Sequence, residues 1–356
     1  MKYVIIICCL IFCALSGCVE QEIIDDINLV TTAGFDKKEG KEKYTGTVLI
    51  PQFLKDQPVQ EERLTGEALL SREILSEIER ESSRPLAIGK IKLVLFSEEL
   101  ARQGVKDFMD PLQRDESIGS RVLLAITRGD AADIMSEQLG LKGTSTYLTS
   151  LILHNKEQRD VPTANLHLFL NNYKSAWSDP YLPFLKKKDG GVIIDGLALF
   201  NGDKLVGEIP NEKLFSMKIL TDGHTRGNYM LRIPETDELV SIYNIHSSRK
   251  IRAKQLNPLK ASVDIKIKGA IQQYTGKDLT KEDIHKIEKA LERDIKKEVI
   301  ALFEKFQELN IDPVRLGKEI EAYSRGFDIN EWKRDKRDYS VIVNVKAVIS
   351  ETGVTE

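Results

Sequence analysis

Cysteine is missing from almost the whole chain: Cys8, Cys9, Cys13 and Cys18 are all there are in 356 residues. A body without thiols excludes disulfides, zinc–thiolate centres and cysteine nucleophiles beyond position 18. Histidine is sparse as well. His154, His167, His224, His246 and His285 are scattered, and no two stand three or four residues apart as ligands on one helix face would. The phosphate loop G-x-x-x-x-G-K-S/T and the patterns G-x-G-x-x-G, H-E-x-x-H and G-x-S-x-G do not occur. After the first eighteen residues no apolar run is long enough to span a bilayer, and fixed-period repeats and low-complexity tracts are missing.

What is present is the composition of a folded protein, 41% hydrophobic and 30% charged. Residues 19–356 suffice to bury two or three domains of core without disulfides. The formal net charge is −3, and removing residues 1–17 takes away Lys2 alone to leave −4, which argues against a nucleic-acid partner. Locally the balance reverses. Residues 249–305 hold fifteen Lys or Arg against nine Asp or Glu, read here as solvated helix and strand faces, with a patch facing anionic lipid as the alternative.

The first eighteen residues carry the strongest local signal. Lys2, an apolar run from Tyr3 to Leu15 and then Leu15-Ser16-Gly17-Cys18 form a secretory h-region too short to stay as a membrane span. Small residues directly before a cysteine fit the pocket of the lipoprotein signal peptidase. Residues 1–17 are therefore expected to be a lipoprotein signal peptide, cleaved after Gly17, with Cys18 becoming an N-palmitoyl, S-diacylglycerol cysteine. Burying acyl chains yields about 0.8 kcal/mol per methylene, and two or more chains hold a protein that one would release.

Alternation and helical spacing then predict an α+β protein of three domains, with mixed and antiparallel sheets covered by helices. Residues 18–190 read as an N-terminal α/β domain. Its strands are expected at 27–34, 44–53, 91–96 and 121–127. A loop at 51–62, a helix opening at Thr65 and continuing through Ile78, and helices near 98–113 and 130–139 lie between them. The Lys186-to-Gly191 run marks a boundary. A small β-rich middle domain is expected over 191–249, with a hairpin turn at Asn201-Gly202-Asp203. The last domain, 250–356, is α+β. Thr280 and Asp283 open its long helix over 281–309, with Glu292 and Lys296 as an i,i+4 pair, and strands at 263–268 and 341–349 accompany it.

Site chemistry is scarce. The Thr221-to-Gly227 segment, with His224 at its centre, combines glycine with Asp, His and Arg, but its composition is that of a surface turn. Asp25-Asp26 and Glu98-Glu99 suit helix caps or solvent. No catalytic, cofactor-binding or metal-binding residue is assigned, and no enzyme activity is expected.

Four collinear stretches resemble the Ger(x)C family, the lipoprotein C subunit of spore germinant receptors. They are the Cys18 lipobox; Ile78-Glu79-Arg80-Glu81-Ser82-Ser83-Arg84-Pro85 with Glu98-Glu99-Leu100-Ala101-Arg102; Asp195-Gly196-Leu197-Ala198-Leu199-Phe200 with Asp203-Lys204-Leu205-Val206-Gly207; and the 263–353 block. One departure stands out. Where the family has Cys-Trp-Asp and then Arg-Glu, this chain has Cys18-Val19-Glu20-Gln21-Glu22. The resemblance implies a lipid-anchored protein on the outer face of the spore inner membrane, beside the integral-membrane A and B subunits of a complex that senses nutrients and triggers germination. It leaves open whether this subunit touches a small molecule. A solute-binding lipoprotein of a transporter is the alternative.

Overall fold

The computed structural model describes residues 26–37, 40, 42–53, 55–256, 258–276, 279–323 and 326–351, so the signal peptide and Cys18 lie outside the described residues. The chain opens with β1 (Asn28–Leu29), β2 (Thr32–Asp36), β3 (Tyr44–Gln52), β4 (Gln60–Ala68), α1 (Ile74–Glu81) and β5 (Leu86–Ala87). Next come β6 (Leu93–Ser97), α2 (Glu98–Gln103), α3 (Lys106–Arg114), β7 (Leu123–Thr127), α4 (Ala131–Met135), α5 (Thr144–Gln158) and α6 (Leu166–Lys174). The middle of the chain forms β8 (Tyr181–Lys188), β9 (Gly191–Asn201), β10 (Lys204–Pro210) and α7 (Leu214–Asp222). It ends with β11 (His224–Arg232), β12 (Leu239–Leu256), β13 (Leu259–Tyr274), α8 (Lys281–Glu308), α9 (Leu316–Tyr323), α10 (Ile329–Arg334) and β14 (Tyr339–Glu351). The α+β class expected from the sequence is the one observed.

Two sheets organise these elements. The first has eight strands in the order β10-β9-β8-β7-β6-β2-β3-β4, and the second has four in the order β11-β12-β13-β14. At the centre of the first, β2, β6 and β7 run parallel and are buried along their whole length. That explains the nearly unbroken apolar sequences of β6 and β7, since helices cover both faces. The outer pairs of this sheet are antiparallel.

Strand pairing runs across the expected boundaries. The break placed at residue 190 falls inside the β8–β9 hairpin, where Lys188 pairs with Gly191, so residues 191–210 extend the first sheet. The break near residue 250 falls inside β12, where Lys250 pairs with Asp264. Residues expected as a β-rich middle domain are thus divided between the two sheets. Between those two parts lies α7, whose residues Leu214–Leu220 are all buried, a segment expected to be β structure. A run of polar residues at a hairpin tip carries the same composition as a linker. Only the pairing partner tells them apart.

The helix expected from Thr65 begins at Ile74, because residues 60–68 pair with β3 as a strand. The spacing of Leu69, Leu70, Ile74, Leu75 and Ile78 looked helical throughout, but Leu69 and Leu70 are more than half exposed. The packing of α1 depends on glycine: Gly46 and Gly66 face each other across β3 and β4, beneath Ile74 and Ile78 of α1. The long helix behaves as its sequence indicates. Thr280 and Asp283 form a reciprocal capping box, and Ile287, Leu291, Ile295, Val299, Leu302 and Phe306 are buried against the second sheet. Glu292 makes a different pair from the one expected, with Lys289 at 2.7 Å, because its other oxygen is turned to the strand beside it.

Candidate functional site

The two internal motif stretches meet at one residue that neither contains. Ser97 ends β6 and accepts the Leu100 amide at 3.3 Å, which starts α2 and sets Glu98 in its first turn. Arg128, directly after β7, reaches three carboxylates: Glu98 at 3.1 Å, Asp195 of β9 at 3.1 Å and Glu208 of β10 at 2.6 Å. Its guanidinium also lies 3.7 Å from the ring centroid of Phe184 on β8, in cation–π geometry. Burial opposes charge on Glu98, yet hydrogen bonds from Arg102 and Arg128 hold its carboxyl below the usual range. Arg128 is raised in turn, its own burial outweighed by the hydrogen bonds to its three carboxylate partners.

The same stretches are locked a second time. Asp203, in the β9–β10 turn, accepts the Lys106 amide through Oδ2 and the Val105 amide through its carbonyl, each at 3.1 Å. Gly104 between α2 and α3 has φ of 127°, and a Cβ there would stand 2.5 Å from Asp203 Oδ2. Gly196 follows Asp195 for a like reason, since a Cβ would strike the Ile209 carbonyl on the neighbouring strand. The Glu98–Arg102 and Asp195–Gly207 motifs are therefore one assembly, tying α2 and α3 to the β9–β10 hairpin. Chemically it is a clamp: the carboxylates facing Arg128 are engaged as its ion-pair partners.

The Glu81-to-Pro85 stretch anchors the start of the described chain. Asn28 Nδ2 donates to Ser82 Oγ at 2.9 Å, Ser82 Oγ donates to the Arg84 carbonyl at 2.6 Å, and Glu79 accepts the Leu86 amide at 3.1 Å. The Asn28 amide donates to the Pro85 carbonyl at 2.8 Å, beginning the parallel β1–β5 pair. Asn28 is thus held at a fixed point of the body.

A buried ionic knot joins the two halves. Lys336 lies 3.0 Å from Asp179, both nearly inaccessible, and Asp179 accepts the Asp312 amide at 2.7 Å. Asp312 in turn accepts the Leu316 and Gly317 amides at 2.8 Å each, capping α9. Burial pushes the Asp312 carboxyl up to about 7, the neighbouring Asp179 adds to this, and the two amides and Lys336 oppose it. No motif in the sequence signalled Arg128, Asp179, Asp312 or Lys336, since each takes its role from partners far away in the chain.

Elsewhere the polar clusters stay apart. The five histidines fall on α5, α6, β11, β12 and α8. Where the composition of the His224 segment predicts a surface turn, Gly223 with φ of 74° ends α7 and His224 begins β11 opposite Ser248. Asp222 points inward to Thr163, and burial raises its carboxyl. A cleft of about 450 Å³ is lined by Asp160, Phe215, Tyr229, Asp294 and Glu298 among others, with Tyr229 donating to Asp294 at 2.9 Å. Among the described residues no group of three or more His, Cys, Asp or Glu is arranged to hold a metal ion, and no helix is long and apolar enough to cross a membrane.

Comparison with known proteins places this architecture. Residues 20–187 match the family described as "Spore germination protein N-terminal domain", and residues 195–353 match "Spore germination B3/ GerAC like, C-terminal". The chain belongs to the Ger(x)C family of spore germination proteins. Spore germination protein GerQC of Bacillus cereus is 28% identical over 348 residues, covering 96% of each chain. Putative spore germination protein YfkR of Bacillus subtilis strain 168 is 26% identical over 372 residues, covering 97% of this chain and 95% of its own. The crystal structure of the GerBC protein shares the fold, with a TM-score of 0.59 over 89% of this chain and 97% of GerBC at 16% identity. The Arg128 clamp joins the two matched regions, with Glu98 and Arg128 in the N-terminal one and Asp195 and Glu208 in the C-terminal one.

Proposed function

We propose that this chain is the lipid-anchored C subunit of a nutrient germinant receptor. It works without catalysis, through contacts with the integral-membrane A and B subunits at the extracytoplasmic face of the spore inner membrane. The observation that carries this reading is family membership across both halves of the chain. Anchoring rests on the Leu15-Ser16-Gly17-Cys18 tetrad. Nine residues separate Cys18 from Asn28, where the chain is fastened to the body, and an extended segment of those ten steps spans about 35 Å at most. The body is thereby confined near the bilayer, where an encounter with membrane partners is a local search and not a three-dimensional one.

The solute-binding alternative expects two repeated lobes, whereas the two sheets here differ in strand number and order. The receptor reading is tested by replacing Cys18 with Ala in a tagged chain in the native organism. Loss of germinant-triggered germination together with loss of two copurifying polytopic proteins supports it. Normal germination with no partners recovered from the unaltered tagged chain overturns it.

A further inference from the structure

One face of the second sheet is packed and the other is largely open, although Ser262 on it is buried. Leu259, Ala261, Val263, Ile265 and Ile267 of β13 and Val343, Ala347 and Ile349 of β14 point inward and are buried. The alternating positions point outward, and there the register assembles charge of one sign. Lys250 and Arg252 of β12, Lys260, Lys266 and Lys268 of β13 and Lys346 of β14 are all exposed on this face. Asp264 is the carboxylate among them, and it is already bound to Arg252 at 2.6 Å and to Asn344 at 2.8 Å.

Two features separate this face from an ordinary solvated one. Lys266 and Lys346 are register partners on adjacent strands, a like-charge arrangement that costs stability unless an anion lies over it. Lysines guarding a sheet edge explain Lys346 on β14, but not Lys250, Lys266 and Lys268 on interior strands. Among these cations Ile342 and Val348 stand outward, 53% and 48% exposed. A flat basic platform carrying isolated branched apolar side chains, on a protein whose net charge is −3, is complementary to an anionic surface with a shallow apolar layer.

We infer that this open face of β12, β13 and β14 lies against the headgroups of anionic lipid, orienting the body on the membrane that holds it. The inference rests on the anchored reading above. The attraction is a sum of single lysines, each worth about fivefold in partitioning near a charged bilayer. Together they provide an orientation that a flexible tether cannot.

The test uses residues 19–356, which keep every described element and carry no acyl group. Sedimentation is measured with vesicles of phosphatidylcholine and of phosphatidylcholine mixed with phosphatidylglycerol. We expect at least tenfold preference for the anionic vesicles, collapsing when salt shortens the screening length from about 10 Å toward 3 Å. The triple variant Lys250→Glu, Lys266→Glu, Lys268→Glu is expected to lose about 100-fold with a melting temperature no lower than the parent's. The same charge change on the helix, Lys281→Glu, Lys296→Glu, Lys297→Glu, is expected to keep most of the binding. Equal binding to both vesicles, absence of binding to the anionic ones, or equal losses in the two triple variants overturns the inference. Germination and copurification with Cys18→Ala report on the receptor reading separately.

Discussion

Glu292 Oε1, on the long helix, accepts the amide of Ala347, on the edge strand β14, at 3.1 Å. One helical turn earlier Glu288 accepts the amide of Ile349 at 3.0 Å. Residues four apart on α8 thus satisfy amides two apart on β14, because one helical turn and two strand residues advance by comparable distances. A carboxylate covers each of these two donors, which would otherwise be open to a foreign strand.

Removing both acceptors, Glu288→Ala with Glu292→Ala, is expected to cost about 2–4 kcal/mol, from two charge-assisted hydrogen bonds. It should also raise light scattering during refolding. A variant that melts and refolds like the parent shows that the edge is guarded by something else. Despite partial burial, Lys289 and the Ala347 amide hold Glu292 below its ordinary value. Its contribution is therefore present above the unfolded carboxylate pKa and lost as pH falls through the lower folded one.

Arg128→Met keeps a long apolar stem and deletes the guanidinium, leaving Glu98, Asp195 and Glu208 facing one another. A loss of about 2–3 kcal/mol is expected, short of the ~3–5 kcal/mol seen for fully buried pairs because the cluster is partly solvated. Combining it with Glu98→Gln should cost less than the sum of the two single changes. Strict additivity in urea denaturation would mean that the three carboxylates are not coupled through Arg128.

Two buried carboxylates make the fold less stable as pH rises. Asp312 is pushed up to about 7 and Asp36 to about 6, both chiefly by burial, with amides of Ala131 and Ala132 opposing it at Asp36. An unfolded aspartate titrates near 3.9, so between about pH 4 and pH 7 the native state binds more protons than the unfolded one. Stability contributed by these groups is present at the acidic end of that window and declines toward its upper end. Asp312→Asn is expected to flatten the decline by a few kcal/mol, with a residual slope from Asp36. Denaturation at about pH 5 and pH 7 reads it, and an unchanged difference between the two pH values rejects the assignment.

Gly66→Ala would place a Cβ 2.8 Å from Ile78 Cγ1 and 2.9 Å from the Ile78 backbone nitrogen. A backbone atom cannot swing aside as a side chain can. A cost of about 1–3 kcal/mol is expected from forced separation of α1 and β4. A melting temperature equal to the parent's would show that α1 shifts freely.

Parts of this architecture are visible in the residues themselves. The Thr280–Asp283 box and the apolar stripe of α8 are local signals satisfied within one helix, and the structure follows them. The Asn201-Gly202-Asp203 turn is likewise local: Gly202 has φ of 61°, and Asn201 pairs with Lys204 across it. Thr65 shows the limit. The stretch Gln60–Ala68 has weak strand character, and pairing with β3 overrides the helical spacing that follows it.

The sequence alone determined the α+β class, the long capped helix and the expectation of a lipidated Cys18, because each depends on residues near one another in the chain. The tertiary structure decided where the sheets begin and end, how Arg128 draws Glu98, Asp195 and Glu208 together, and how Lys336 and Asp179 bind the halves. It also gathered lysines from three strands onto one face. Charge spread along a chain has no direction until register and alternation assign each side chain a side of the sheet.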